Sequence, residues 1–383
     1  MKKIKIVLLG VGLLSGFSSF AQEERNRVIT TAIPILQVAA DARAAGMGDQ
    51  GVATSMDVYS QQWNPAKYAF ADGQQGVGFA YTPYLSNIVN DIFLGSLNYF
   101  YKLNERSAFA SSFRYFSYGA IETRSSFEQD PLPVNPQEFT FDLSYSLKLS
   151  ETVSMAVAGR YLHSDLGLQD NEDWGAAGSF GVDIAAFYQS PEIFMDNFAG
   201  QWRIGANISN IGPKIKYDDT GQENFIPTNF KAGAGFDFLL DQDNSLGAYV
   251  EFNKLLVPTP QDFNGDGDMD SEDEETYNDI GAIEGIFESF GDAPDGFGEE
   301  LREVTWALGA EYNYQDVFAF RAGYFNENEN KGARRFVSFG AGFRYEMVNI
   351  DISYLFSTSN VPSPLEGTLR FGLTFNFGEE YYN

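Results

Sequence analysis

Leu369-Arg370-Phe371-Gly372-Leu373-Thr374-Phe375-Asn376-Phe377 is the stretch whose reading decides the fold. In an extended chain successive side chains point to opposite faces, so Leu369, Phe371, Leu373, Phe375 and Phe377 share one side. Thr368, Arg370, Gly372, Thr374 and Asn376 share the other. The same alternation runs from Phe139 to Leu149, where Phe139, Phe141, Leu143, Tyr145, Leu147 and Leu149 oppose Thr140, Asp142, Ser144, Ser146 and Lys148. It recurs from Val337 to Tyr345, with Ser338, Gly340, Gly342 and Arg344 on the polar face. Charge is confined to that second face. This suits a wall with lipid outside and a polar lumen inside, because a lipid-facing charge at the midplane costs about 2–4 kcal/mol.

Working outward, such segments fall near 75–84, 91–102, 107–117, 138–149, 152–163, 178–188, 201–209, 227–239, 245–254, 303–314, 317–325, 335–346, 348–357 and 367–377. The expectation is an all-β, 14-stranded antiparallel transmembrane β-barrel, with the even strand number of single-chain bacterial barrels. A secreted array of β-sandwiches is the soluble alternative. Tight turns at Asn104-Glu105, Ser150-Glu151, Asp241 to Asn244, Gln315-Asp316 and Met347 alternate with longer links, the longest being 255–302. Short turns are periplasmic and long loops extracellular in this class, which places both termini in the periplasm. One link, 189–200, is longer than expected on the periplasmic side.

Composition agrees. The 383 residues include 35 Phe, 21 Tyr and 38 Gly, and 16% are aromatic, the density expected where an outer face meets lipid. Lys2, Lys3 and Lys5, the apolar run from Ile6 to Leu14 and the Ser19-Phe20-Ala21 cleavage pattern read as a signal peptide over 1–21. Past Ala21 there is no apolar run of about 18 residues, so a helical membrane protein is excluded. No cysteine is present, hence no disulfide framework. A net charge of −28 argues against nucleic-acid partners, which require a basic surface.

Residues 22–74 do not alternate. Ala39, Ala40, Ala42, Ala44, Ala45, Gly46, Gly48 and Gly51 make the segment small and apolar, and it ends in Trp63-Asn64-Pro65-Ala66. The simplest reading is a plug packed inside the lumen; a periplasmic arm is the alternative. The barrel then covers 75–377, and 378–383 form a periplasmic tail.

Catalytic chemistry finds little to build on. His163 is the sole histidine, and adjacent strand residues face opposite ways, so Ser164 is badly placed to be its partner. No catalytic residue is assigned. The sharpest local pattern lies in the longest loop, where Asp262, Asn264, Asp266, Asp268, Asp270 and Asp273 carry oxygen ligands at the spacing of a calcium loop. Gly267 stands at the sixth position, where the sharp turn falls. Asp273 replaces the usual bidentate Glu, and Glu272 or Glu274 could also reach an ion. The expectation is a weak structural Ca²⁺ site, set against a merely acidic loop, since residues 262–300 hold fifteen acids and no base. Beyond it Ile280, Ile283, Phe287 and Phe290 recur at helical spacing, weakened by Gly281 and Gly285. They either fold back over the barrel mouth or dock a partner protein, and the tract Pro131 to Pro136 invites the same two readings.

Asp41-Ala42-Arg43-Ala44-Ala45-Gly46-Met47-Gly48-Asp49-Gln50-Gly51-Val52-Ala53, followed by Gln61 to Tyr68, resembles the PorV (LptO) family of the type IX secretion system of Bacteroidetes. The triplet Asn64, Pro65 and Ala66 is similar to the luminal hatch of the wider FadL-like family of fourteen-stranded barrels. The resemblance extends over the mature chain to the Phe-rich last strand, although Gly378 to Asn383 run past the usual terminal aromatic. It implies a non-enzymatic outer-membrane protein that binds the C-terminal domains of type IX cargo, associates with the SprA/Sov translocon and delivers cargo to the PorU sortase. The competing expectation is a FadL-like channel for hydrophobic small molecules, its N-terminal segment acting as a gate.

Overall fold

A chain whose apolar side chains alternate over fourteen segments can hide its backbone polar groups from lipid only by closing on itself. A computed structural model of the protein, describing residues 27–86, 88–124, 130–167, 175–217, 222–361 and 363–378, has that closure. The signal peptide expected over 1–21 lies outside the described residues, as does the tail beyond Gly378.

The barrel strands are β1 (Gln75–Pro83), β2 (Ile92–Asn104), β3 (Ser107–Tyr118), β4 (Gln137–Lys148), β5 (Val153–Asp165), β6 (Ala177–Gln189) and β7 (Ala199–Ile211). They continue as β8 (Asn229–Leu239), β9 (Asn244–Leu255), β10 (Thr305–Tyr314), β11 (Phe318–Asn326), β12 (Arg335–Tyr345), β13 (Val348–Ser357) and β14 (Leu369–Phe377). Each pairs antiparallel with its sequence neighbour, and β14 returns to β1 with Leu373 opposite Phe79 and Phe371 opposite Tyr81. Closure leaves no free edge.

Burial runs inside out. In β4 Phe141, Leu143 and Tyr145 are exposed while Thr140, Asp142, Ser144 and Ser146 are buried. Several buried charges on the inner face pair across the ladder, as burial demands. Arg160 bonds Asp142 on the facing strand and lies 3.0 Å from Asp183. Arg321 is 2.5 Å from Glu311 and 2.6 Å from Asp351.

Short turns and long loops separate cleanly to opposite ends. Connections 105–106, 149–152, 240–243, 315–317 and 346–347 are tight. The long 190–198 link has a simple cause: Ile193–Phe194 forms a two-residue strand that continues the ladder beside Ala199 and Gly200. At the other end, the Pro131–Pro136 tract lies in a loop whose small hairpin pairs Ile121–Thr123 with Leu132–Val134. The loop 256–304 carries α3 (Ser271–Asp279), α4 (Ala282–Glu288) and α5 (Phe297–Glu303).

The two ends of the described chain do not share a side. Gly378 follows β14 at the short-turn end, whereas Arg27 meets Asp295 and Glu299 of the longest loop, at 3.4 and 2.6 Å. Between these ends, residues 46–52 touch inward glycines of the wall.

Candidate functional site

The N-terminal segment follows the inner wall, and its small residues are what let it do so. Asp41 caps α1 (Ala42–Ala45), accepting from Ala44 N at 2.7 Å and from Trp63 Nε1 at 2.9 Å. Ala39, Ala40, Ala42, Ala44 and Ala45 are all buried. Facing them, glycines occupy inward positions of the wall. A Cβ on Gly323 would stand 2.0 Å from the Met47 carbonyl carbon, and one on Gly205 would stand 1.9 Å from the Val52 carbonyl oxygen. Backbone rests on backbone there, the close approach that glycine in a strand often marks.

Polar ties fix the same stretch. Arg43 bonds Glu311 and Asp57, each at 2.8 Å, and Glu311 in turn holds Arg321. Asp49 pairs with Arg370 at 2.9 Å. Glu251 of β9 accepts the backbone N–H groups of Gly51 and Val52, both at 2.8 Å. Lys67 Nζ donates to Gly51 O at 2.8 Å, and burial pulls its ammonium down to about 8. α2 (Ser60–Trp63) ends at the resemblance triplet, which has a structural task. Asn64 Nδ2 donates to Val52 O and to Ala186 O of the wall, both at 3.0 Å, while its Oδ1 accepts from Ala66 N. Pro65 opens a 3₁₀ turn, and Ala66 packs against Ala156, Ala185 and Phe187.

Two cavities lie either side of this segment and share no lining residue. The one toward the short turns, about 410 Å³, is lined by Arg43, Asp57, Arg203, Arg321, Arg344 and Asp351 among others. The one toward the long loops, about 330 Å³, is lined by Trp63, Tyr84, Lys231, Phe325 and Phe336 among others.

The longest loop is tied to the barrel by its acids. Lys254 bonds Glu300 and Glu303 at 3.0 and 2.6 Å; Lys331 bonds Glu299 and Glu303 at 2.7 and 2.8 Å. Burial pulls the Glu303 carboxyl up, but bonds from Lys254, Lys331 and Thr259 outweigh it and hold the group below its usual range. Asp292 lacks such a cation, and burial pushes it up to about 6.

The six expected calcium ligands form a turn stabilised by their own backbone. Asp262 accepts from Gly265 N and Gly267 N, Asn264 from Asp266 N, and Asp266 from Asp268 N. Asp273 accepts from Phe263 N at 2.7 Å and, with Asp270, closes a capping box on α3. Among the described residues no three carboxylate, histidine or cysteine side chains converge as metal donors. The spacing Asp270-x-x-Asp273 was a legible helix-start signal that the calcium reading overlooked.

The helix expected around Ile283, Phe287 and Phe290 exists as α4, but the fold-back reading of its apolar face is corrected. Gly285 and Ser289 are the buried positions, with Gly285 against Pro258 and Phe225. Ile283, Phe287 and Phe290 point outward, Phe287 being 74% exposed. A bulky residue cannot sit where the helix meets Pro258; only Gly285 fits.

His163 and Ser164 face apart, as strand geometry requires. His163 stacks on Phe139 on the outer wall with centroids 4.6 Å apart, while buried Ser164 donates to Glu138 at 2.9 Å. Residues missed in the sequence reading, Arg43, Glu311 and the inward glycines, had one available sign: Gly205, Gly309 and Gly323 recur on the polar face of strands.

No curated protein matches the chain. Among solved structures, the TodX deltaS2S3 mutant monoaromatic hydrocarbon channel is 11% identical with a TM-score of 0.52, over 88% of this chain and 98% of that one. The Pseudomonas putida toluene transporter TodX is 12% identical, TM-score 0.48, over 92% of this chain and 98% of its own. A Pseudomonas aeruginosa FadL homologue is 13% identical, TM-score 0.43, over 92% and 100%. Such identities speak to the fold alone, a closed antiparallel barrel shared with the first of these. Residues 20–262 match the family described as "Type IX secretion system protein PorV", taking in the luminal segment and β1 to β9 and stopping before the loop helices. The chain belongs to the PorV family and is an outer-membrane component of type IX secretion.

Proposed function

We propose that this protein binds the C-terminal domains of secreted cargo at the cell surface, associates with the SprA/Sov translocon and delivers cargo to the PorU sortase. On this reading it catalyses no reaction itself, and outer-membrane lipid only seats its wall. The long loops face outward and the short turns face the periplasm. What supports the reading is the set of contacts that fasten residues 39–66 to the inner wall, Arg43–Glu311, Asp49–Arg370 and the glycine contacts, which suit a plug. With the bore closed, the work moves to the outer rim. Affinity purification from native membranes tests it: a very large barrel protein and secreted cargo should co-purify. Recovery of lipid or fatty acid alone would overturn it.

That second outcome would favour a channel for hydrophobic small molecules. The cavity of about 330 Å³ beside Trp63, Tyr84, Phe325 and Phe336 is the feature that supports such a role.

We propose in addition that Ca²⁺ orders the turn Asp262–Asp273 weakly, using Asp262, Asn264, Asp266, Asp268, Asp270 and Asp273. Calorimetry on the purified barrel should show binding at millimolar Ca²⁺; no heat there would overturn the idea.

A further inference from the structure

The loop 256–304 holds an apolar surface that the protein leaves uncovered. Its helices are fixed from beneath: Tyr277 Oη donates to Pro258 O at 3.0 Å, Lys214 Nζ donates to Asn278 O at 2.9 Å, and Thr259 N donates to Asp292 at 2.7 Å. α5 is clamped by Lys254 and Lys331. The upper side of α4 and its following turn carries Ile283, Phe287 and Phe290, and α5 carries Phe297 and Leu301, all exposed and Phe297 at 76%. Large apolar side chains held outward on short, anchored helices are costly in water, and such surfaces commonly mark interaction sites.

Around α4 the exposed charge has one sign. Asp279, Glu284 and Glu288 are exposed on α3 and α4. The segment 262–300 contains no base, and the first one after it, Arg302, lies at the far end of α5. Anionic lipid headgroups are repelled by such a rim, and so is a second copy of this acidic chain. A partner with lysine or arginine around an apolar contact face is attracted.

We infer that α4 and α5 form the docking surface for a protein domain whose apolar contact face is rimmed by basic residues. The inference rests on the cargo-binding reading and adds to it the place and chemistry of contact. It concerns a segment beyond residues 20–262, where the family match ends.

The test uses the full chain in detergent and, as probe, a purified C-terminal domain of a type IX cargo protein. Wild type should bind, more weakly as NaCl rises from about 0.05 to about 0.5 M. Phe287→Asp with Phe290→Asp should weaken binding about tenfold or more, as loss of aromatic anchors does. Glu284→Gln with Glu288→Gln should flatten the salt dependence. All variants should keep heat-modifiable migration, since these side chains support no part of the barrel. Unchanged affinity of the aspartate variant would overturn the docking surface while leaving cargo binding intact. Absence of binding by wild type would overturn the cargo-binding reading itself. Binding of wild type to vesicles of anionic lipid, abolished by the aspartate pair, would replace the protein partner with a membrane and overturn the inference.

Discussion

Gly323→Val is expected to expel the N-terminal segment from the wall. The Cβ alone would stand 2.0 Å from the Met47 carbonyl carbon and 2.1 Å from Gly48 N, and both are backbone atoms with no rotamer to escape into. Overpacking a tight interior commonly costs about 1–3 kcal/mol, and contact this close, against backbone on both sides, belongs at the top of that range. The ladder of β10, β11 and β12 remains paired, so the cost falls on the segment. Limited proteolysis should cut between residues 42 and 54 in the variant and not in wild type, while heat-modifiable migration persists. Gly159→Val is the matched control, because nothing lies within 4 Å of its added Cβ. If both variants resist protease equally, the segment does not depend on the glycine contact.

Glu311→Gln should be the most damaging single change in the charge network. Its carboxylate serves Arg43 on the segment and Arg321 on the wall at once, at 2.8 and 2.5 Å. Removing it leaves two buried guanidinium groups with Asp57 and Asp351 as their carboxylate partners and Ser55 as a neutral acceptor for Arg43. Breaking a buried pair from one side costs about 3–5 kcal/mol, chiefly because the remaining charge stays out of water. By contrast Arg334→Ala removes a pair with Glu327 whose arginine is 42% exposed, for which less than about 1 kcal/mol is expected. Denaturant midpoints of the two variants in the same detergent should separate clearly; equal midpoints would mean the lumen is wet enough to screen Glu311.

The wall was legible because lipid enforces a strict rule. Outward positions are mostly apolar and the midplane charges turn inward, so period two runs through the strands, broken where β7 bulges between Ile208 and Ile211. The inward positions of Asp142, Asp351 and Arg370 followed directly, and all three are buried. The course of the segment before β1 was not legible. Turn lengths report where strands cross, and they say nothing about a stretch that pairs with no strand and meets the longest loop through Arg27. Nor did helical spacing tell which side of α4 faces down. Hydrophobicity assigns Ile283, Phe287 and Phe290 to the interior, but the approach of Pro258 admits only Gly285 there. Asp273 carries two compatible patterns, calcium ligand and capping box, of which the backbone geometry of α3 displays the second.

The proposed function depends on residues 39–66 acting as a plug, since a closed bore would place function on the outer rim. Single-channel recording of the purified wild-type barrel in a planar bilayer tests it most directly. The protein should be electrically silent, with current appearing only in Gly323→Val. Steady ion current through wild type, with residues 42–54 still protected from protease, would contradict it.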